Sequence, residues 1–186
     1  MKLVLHVPEV ELYNEETETF MYTPETTLTF IHSLVSVSKW ESKHHKPMLK
    51  KDVKTNDEIL DYIRIMTITK NVPDIVYTHG LTSEHMATIA SYMEDSMTAT
   101  TFQTDDDNTE GTKKKAMTVT SEVIYGWMVA FRIPKECEKW HINRLLTLVR
   151  VCEVQNAPAT KQDARSVNAR NARLNAQRRA KYNTKG

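Results

Sequence analysis

The chain has 186 residues, 40% of them hydrophobic, with 25 Lys or Arg against 24 Asp or Glu and a formal net charge of +1. That length is enough for one domain, or one domain with an appendage, burying roughly two thirds of its unfolded surface. No apolar run approaches the ~20 residues of a spanning helix, and acidic residues follow the N-terminus too soon for a signal peptide. Four Gly argue against Gly-rich phosphate loops and turn-dense all-β folds, and two Cys argue against a disulfide framework and for a reducing cytosol. The net charge hides an asymmetry: from Lys161 to Gly186 eight Lys or Arg face one Asp, a charge of +7, which leaves −6 for residues 1–160.

In chain order, residues 2–32 read as strands. Lys2 to Val7 and the TTLTFI segment at 26–31 are rich in β-branched and aromatic residues, with Leu28 and Phe30 alternating against Thr27 and Thr29. Glu9 to Tyr13 and Thr19 to Tyr22, separated by a short polar loop, fit a hairpin. From Ser33 the period changes to that of a short helix carrying Leu34, Val37 and Trp40, with Ser33 available as its cap, although the β-branched content also fits a strand; the segment is broken at His44-His45-Lys46-Pro47. Asp57 to Thr69 is a second helix with Asn56 as its cap, and LTSEHMATIASYM is a third, capped at Thr82 or Ser83, with Met86, Ile89, Ala90 and Met93 inward. Asn71-Val-Pro-Asp between them is a turn. Several short helices on a small sheet make an α+β protein.

The largest concentration of apolar side chains lies at 120–156, which reads as two helices joined at Pro134. In the first, Val119, Val123, Trp127 and Phe131 fall four apart, and Gly126 suggests close packing. The second starts at Pro134, ends near Asn156 and Pro158, and puts Cys137, Trp140, Leu145, Leu148, Val149 and Cys152 on one face. Trp127, Phe131, Trp140, Leu145, Leu148 and Val149 are therefore the expected core, and Trp140→Ala is expected to cost about 3 to 5 kcal/mol. Three regions result: an N-terminal hairpin or sheet at 1–32, a helical core domain at 33–156, and a basic C-terminal helix or tail at 157–186.

Chemistry is harder to find. The run from Asp105 to Lys115 has charges suited to a calcium or phosphate loop, but an EF-hand counted from Asp105 would need Gly and a bidentate acid where Glu110 and Ala116 stand. A solvated connection is the better reading. Cys137 and His141 share a helical face on this reading, with Cys152 about 20 Å further along and too far to share an ion. His44 and His45 could join His79 or His85 at a metal only if the fold gathered them. No nucleophile elbow, Walker loop, HExxH or CxxC pair occurs, so neither a catalytic residue nor a cofactor is assigned. The conspicuous binding feature is the tail, whose Arg165, Arg170, Arg173, Arg178, Arg179 and Lys181 fit an acidic protein surface first and nucleic acid second. Its only large apolar residues, Val167, Leu174 and Tyr182, make a narrow stripe, so the helix is marginal alone.

Five segments, SLVSVSKWESKHHKPML at 33–49, DEILDYIRIMTI at 57–68, MTATTF at 97–102, the stretch at 120–152 ending WHINRLLTLVRVC, and RNARLNAQRRAKYNTKG at 170–186, together resemble a family of tailed-bacteriophage proteins. These are encoded among tail morphogenesis genes and labelled tail assembly chaperones. The resemblance implies a non-enzymatic role in the host cytoplasm: binding the long amphipathic tape measure protein and keeping it soluble while the tail tube assembles. It also admits a structural tail or baseplate component of the virion, and self-association. A chaperone of this kind needs an adaptable apolar groove. Nine Met could line one, and Met86, Met93 and Met97 are the candidates, with Met66, Met117 and Met128 also in or beside helical segments.

Overall fold

A computed structural model describes residues 2–15, 18–102, 118–156 and 164–182. It is a mostly helical α+β protein with a small antiparallel strand region at the N-terminus. Strand β1 (Leu3–Val7) pairs with β4 (Thr26–Phe30), and β2 (Val10–Asn14) pairs with β3 (Thr19–Thr23). The register runs on from one pair to the other, with Val7 opposite Thr26 and Val10 opposite Thr23. Pro8 and Pro24 fall in the gap, one on each side. Neither has an N–H to donate, so the long hairpin opens there into two two-stranded sheets.

β4 has a second neighbour. Ile31 N–H donates to Met66 O at 2.9 Å and Ile68 N–H to Thr29 O at 2.8 Å, so the chain leaving the second helix runs beside the strand. That is why α2 (Asn56–Met66) stops at Met66 and does not reach Thr69: residues 67–69 are committed to β4. Its cap is Thr55, one residue before the expected Asn56, in a reciprocal capping box with Glu58.

Helix α1 (Leu34–His44) is capped by Ser33 in a box with Ser36, and ends where His45 adopts the left-handed conformation at φ 53°. It separates two apolar clusters. Val37 and Trp40 join Val7, Leu28, Phe30, Tyr62, Ile63, Met66 and Ile89 on one side, whereas Leu34 joins Ile124, Met128, Cys137, Ile142 and Leu145 on the other. The fully buried Trp40 donates its indole N–H to Glu58 O at 3.0 Å, which locks α1 to α2. A five-residue π-helical turn, Val76–Gly80, then leads to α3 (Ser83–Glu94), capped by Thr82. Gly80 sits at a close approach: a Cβ there would lie 3.0 Å from Val7 Cγ1 and 3.4 Å from Thr23 Cγ2.

The region at 120–156 differs from its sequence reading. Helix α4 covers Ser121–Ala130 and the chain turns at Arg132, φ 55°. Pro134 does not open a long helix. It is extended, at ψ 140°, before a 3-10 turn over Lys135–Lys139, and the long helix α5 begins only at Ile142 and runs to Asn156. The break serves pairing: Ser33 and His141 form an antiparallel bridge, and Ile142 N–H donates to His32 O at 2.8 Å. Cys137 and His141 consequently belong to different elements. Gly126 is not a close-packing residue, because a Cβ there meets nothing within 4 Å.

Of the expected core residues, Leu145 and Val149 are buried, while Trp127, Trp140, Leu148 and Phe131 are only half-buried. Trp127, Trp140 and Leu148 flank the second cluster from outside. With the helix starting at Ile142, Trp140 lies ahead of it, and its ring is covered by the Arg144 guanidinium at 4.4 Å. Trp140→Ala should therefore cost about 1 to 2 kcal/mol, the loss of a half-buried ring and a cation–π contact, rather than the value for a core cavity. Urea titration of the variant checks this, and a loss above 3 kcal/mol would return Trp140 to the core.

Two compact units divide the chain, residues 1–152 and 153–186. The second contains α6 (Ala164–Tyr182). Among the described residues no helix is long and apolar enough to cross a membrane.

Candidate functional site

Helices α2 and α3 leave an apolar groove of about 310 Å³ between them. Its floor is Tyr62, Ile63 and Ile89, all essentially buried, and its walls are Met48, Ile59, Met86, Ala90 and Met93. Lys54 and Glu94 supply charge at the rim. The α3 side follows from helical spacing, since Met86, Ile89, Ala90 and Met93 lie on one face. Two of the candidate Met thus come together, and Met48 from the α1–α2 connection joins them. Met97 does not. It lies past the end of α3 in the left-handed conformation, φ 53°, with its N–H on Asp95 Oδ1 at 2.7 Å. Met66 and Met128 are core residues, and Met117 lies outside the described residues.

Buried polar contacts hold both walls. The Glu41 carboxylate, 7% exposed, accepts Met48 N–H on one oxygen at 2.8 Å and Ser121 N–H, at the start of α4, on the other at 2.7 Å. On the opposite wall, Asn143 Nδ2 donates to Met93 O at 3.0 Å and to Asp95 O at 2.7 Å, taking up carbonyls at the C-terminal end of α3. The outer flank of α2 is tied to α1 by ion pairs. Asp61 accepts from Lys43 at 2.5 Å and His44 at 2.7 Å, and Glu58 accepts from Lys46. Burial works against the Asp61 charge, but these two donors outweigh it and hold its carboxyl below the usual range.

A second polar group lies in the interior. His32 Nδ1 is 2.6 Å from the Tyr62 hydroxyl, and His32 N–H donates to the Tyr92 hydroxyl at 3.3 Å. The rings of His32 and His141 meet edge to face at 5.1 Å. His141 Nδ1 accepts Asn143 N–H, so its proton sits on Nε2 and is donated to Tyr92 O at 3.0 Å. Burial, with His141 beside it, lowers the His32 pKa to about 3, and burial raises that of Tyr62 well above its usual value. All four side chains are neutral at pH 7, and none belongs to a residue more than 7% exposed. A solute cannot reach them, so the cluster fixes β4, α2, α3 and α5 to one another.

Among the described residues no three His, Cys, Asp or Glu side chains gather as metal ligands. His44 pairs with Asp61, His79 bonds Thr78, and His85 belongs to the α3 capping box. Cys137 is buried and Cys152 half-buried, and neither is in a disulfide. The Asp105 to Lys115 segment lies outside the described residues. In the second unit, Arg173, Arg178, Arg179 and Lys181 are exposed on α6, and Arg165 and Arg170 belong to the same helix. The sequence reading missed Met48 and Ile59 as wall residues. Ile59 carried a usable signal, lying three and four positions from Tyr62 and Ile63 on the α2 face, whereas Met48, in an irregular connection, carried none. Comparison with protein-family models, with curated proteins and with solved structures gives no match.

Proposed function

We propose that the protein is a non-enzymatic assembly chaperone of tailed-phage type, acting in the host cytoplasm, which holds an amphipathic helix of the tape measure protein in the groove between α2 and α3. The observation that supports this is the convergence of Met48, Met86 and Met93 around an apolar floor. A client helix presents residues at i, i+3, i+4 and i+7, and a groove of about 310 Å³ takes a few of those side chains at once. Unbranched thioether side chains repack cheaply, so one groove can receive successive, unlike segments of a long client. The resemblance of the five sequence segments to phage tail assembly chaperones points the same way.

The test is a double substitution, Met86→Glu with Met93→Glu, titrated against a peptide from an amphipathic tape measure helix. Both side chains are part-exposed, so the fold should survive, and two charges facing the client's apolar stripe should weaken binding at least ~30-fold. Binding within twofold of the parent protein would sink the groove as the client site.

A structural tail component is the second reading, favoured by the β2–β3 hairpin. Tyr13 and Phe20 pack ring to ring at 5.0 Å with Tyr22 beside them, and each is more than half exposed. Such a patch suits a fixed contact in an assembly.

A further inference from the structure

We infer that α6 is a binding helix for structured RNA, received in the deep groove of a bulged stem. Ala164–Tyr182 holds five Arg, one Lys and no acidic residue, a charge of +6 over 19 residues. A helix that docks on protein buries an apolar stripe and leaves its charges on the other side. Here the helical register spreads the six cations so that no sector wider than about 100° lacks one, and almost any protein-covered face would bury a cation. A ligand that meets such a helix on several sides must itself be anionic on several sides.

One face sharpens the geometry. Ala169, Ala172, Ala176 and Ala180, three and four apart, occupy it with no charge among them, Arg165 preceding them by one turn, and such small residues let the backbone approach the floor of a groove. Arg173 and Arg179 flank that face, positioned for the phosphates of the two walls. The preference for Arg matters, because its planar fork pairs bidentately with phosphate oxygens where Lys offers a point charge. Asn168, Asn171, Asn175 and Gln177 add amides able to pair with base edges. At 1.5 Å per residue the helix is about 28 Å long, close to one turn of a duplex. The A-form groove encloses a helix between two phosphate walls once a bulge widens it, whereas the wider B-DNA groove meets it mainly on one side. This inference is independent of the groove between α2 and α3.

The full chain would be titrated against a fluorescent bulged RNA stem, a DNA duplex of the same length and a poly-Glu peptide, between 50 and 300 mM salt. The RNA should bind at least tenfold tighter than either competitor, with log affinity falling against log salt at a slope of roughly −4 to −5 for six phosphate contacts. Combining Arg173→Gln, Arg178→Gln and Arg179→Gln should weaken RNA binding more than tenfold and flatten the slope by about 2 to 3, with melting of the protein unchanged. Equal binding of the DNA duplex would overturn the choice of RNA, and equal binding of poly-Glu would assign α6 to an acidic protein. An unchanged slope in the triple variant would remove α6 from the contact.

Discussion

Glu41→Ala should destabilise the protein by about 3 to 5 kcal/mol, a large fraction of the roughly 5 to 15 kcal/mol by which an ordinary domain is stable. The side chain lies at the end of α1 and its two oxygens each accept a buried backbone N–H, from Met48 and from Ser121. Hydrogen bonds to a charged acceptor contribute roughly 1.5 to 3 kcal/mol each, and truncation leaves both donors without a partner in the interior. The carboxylate also faces the first turn of α4, where the backbone dipoles favour negative charge. Glu41→Gln separates charge from shape: one amide oxygen can serve one donor, and the NH₂ group meets the other donor head-on. It should therefore recover less than half of the loss. Urea unfolding of the three proteins at pH 7 measures this, and a cost below 1 kcal/mol for Ala would mean that water replaces the carboxylate. Because Met48 lines the groove, the Ala variant should also weaken client binding under conditions where it stays folded.

Glu41 illustrates where sequence legibility ends. On the helical period it reads as one more polar residue beside Leu34, Val37 and Trp40, and its burial depends on Ser121, 80 residues away. What was legible was local. Alternation marked β1 and β4, Ser33 read as a cap and Thr82 as one of two candidates, and the breaks at His44 to Pro47 and at Asn71 fell where the chain takes left-handed turns, at His45 and Asn71. The strands and the first three helices follow from such signals. The α4–α5 region was misread because the dense apolar run favours continuous helix, whereas the bridge between Ser33 and His141 and the bond from Ile142 to His32 break it. A nonlocal pairing overrode periodicity, and it moved Trp140 out of the core while leaving Leu145 and Val149 inside.

The same distinction holds for the groove. Met86 and Met93, seven apart on α3, were visible as a stripe, but a stripe does not say whether a neighbour covers it. Here α2 covers it only in part, because Trp40 and Glu58 draw α2 towards α1. Within residues 1–152 the element common to both apolar clusters is accordingly α1, whose Trp40 is fully buried, and the other two Trp, at 127 and 140, are only half-buried.

Acid should unfold the protein earlier than its carboxylates alone would require. His32 is buried among Tyr62, Tyr92 and His141, and its pKa falls from 6.5 to about 3, while burial lowers that of His141 in the same direction. A base whose folded pKa lies below its unfolded value binds protons preferentially in the unfolded chain. Stability is then complete above pH ~6.5 and is lost progressively as pH falls towards the folded value. For His32 alone the loss between pH 6.5 and 4.5 comes to roughly 2 to 3 kcal/mol, and to the order of 4 kcal/mol by pH 3. Glu58 and Asp61 act later. Their folded pKa values are lowered by Lys46, Lys43 and His44, so they contribute stability above their unfolded values near pH 4 and lose it only below that. The window from pH 6.5 to 4.5 therefore isolates the buried histidines. Urea unfolding across that window should give a steep loss in the parent protein and a markedly flatter profile in His32→Gln, whose amide can still hydrogen-bond the Tyr62 hydroxyl. Parallel profiles would show that His32 is protonated in the folded state, and hence that water reaches the cluster joining β4 to α2, α3 and α5.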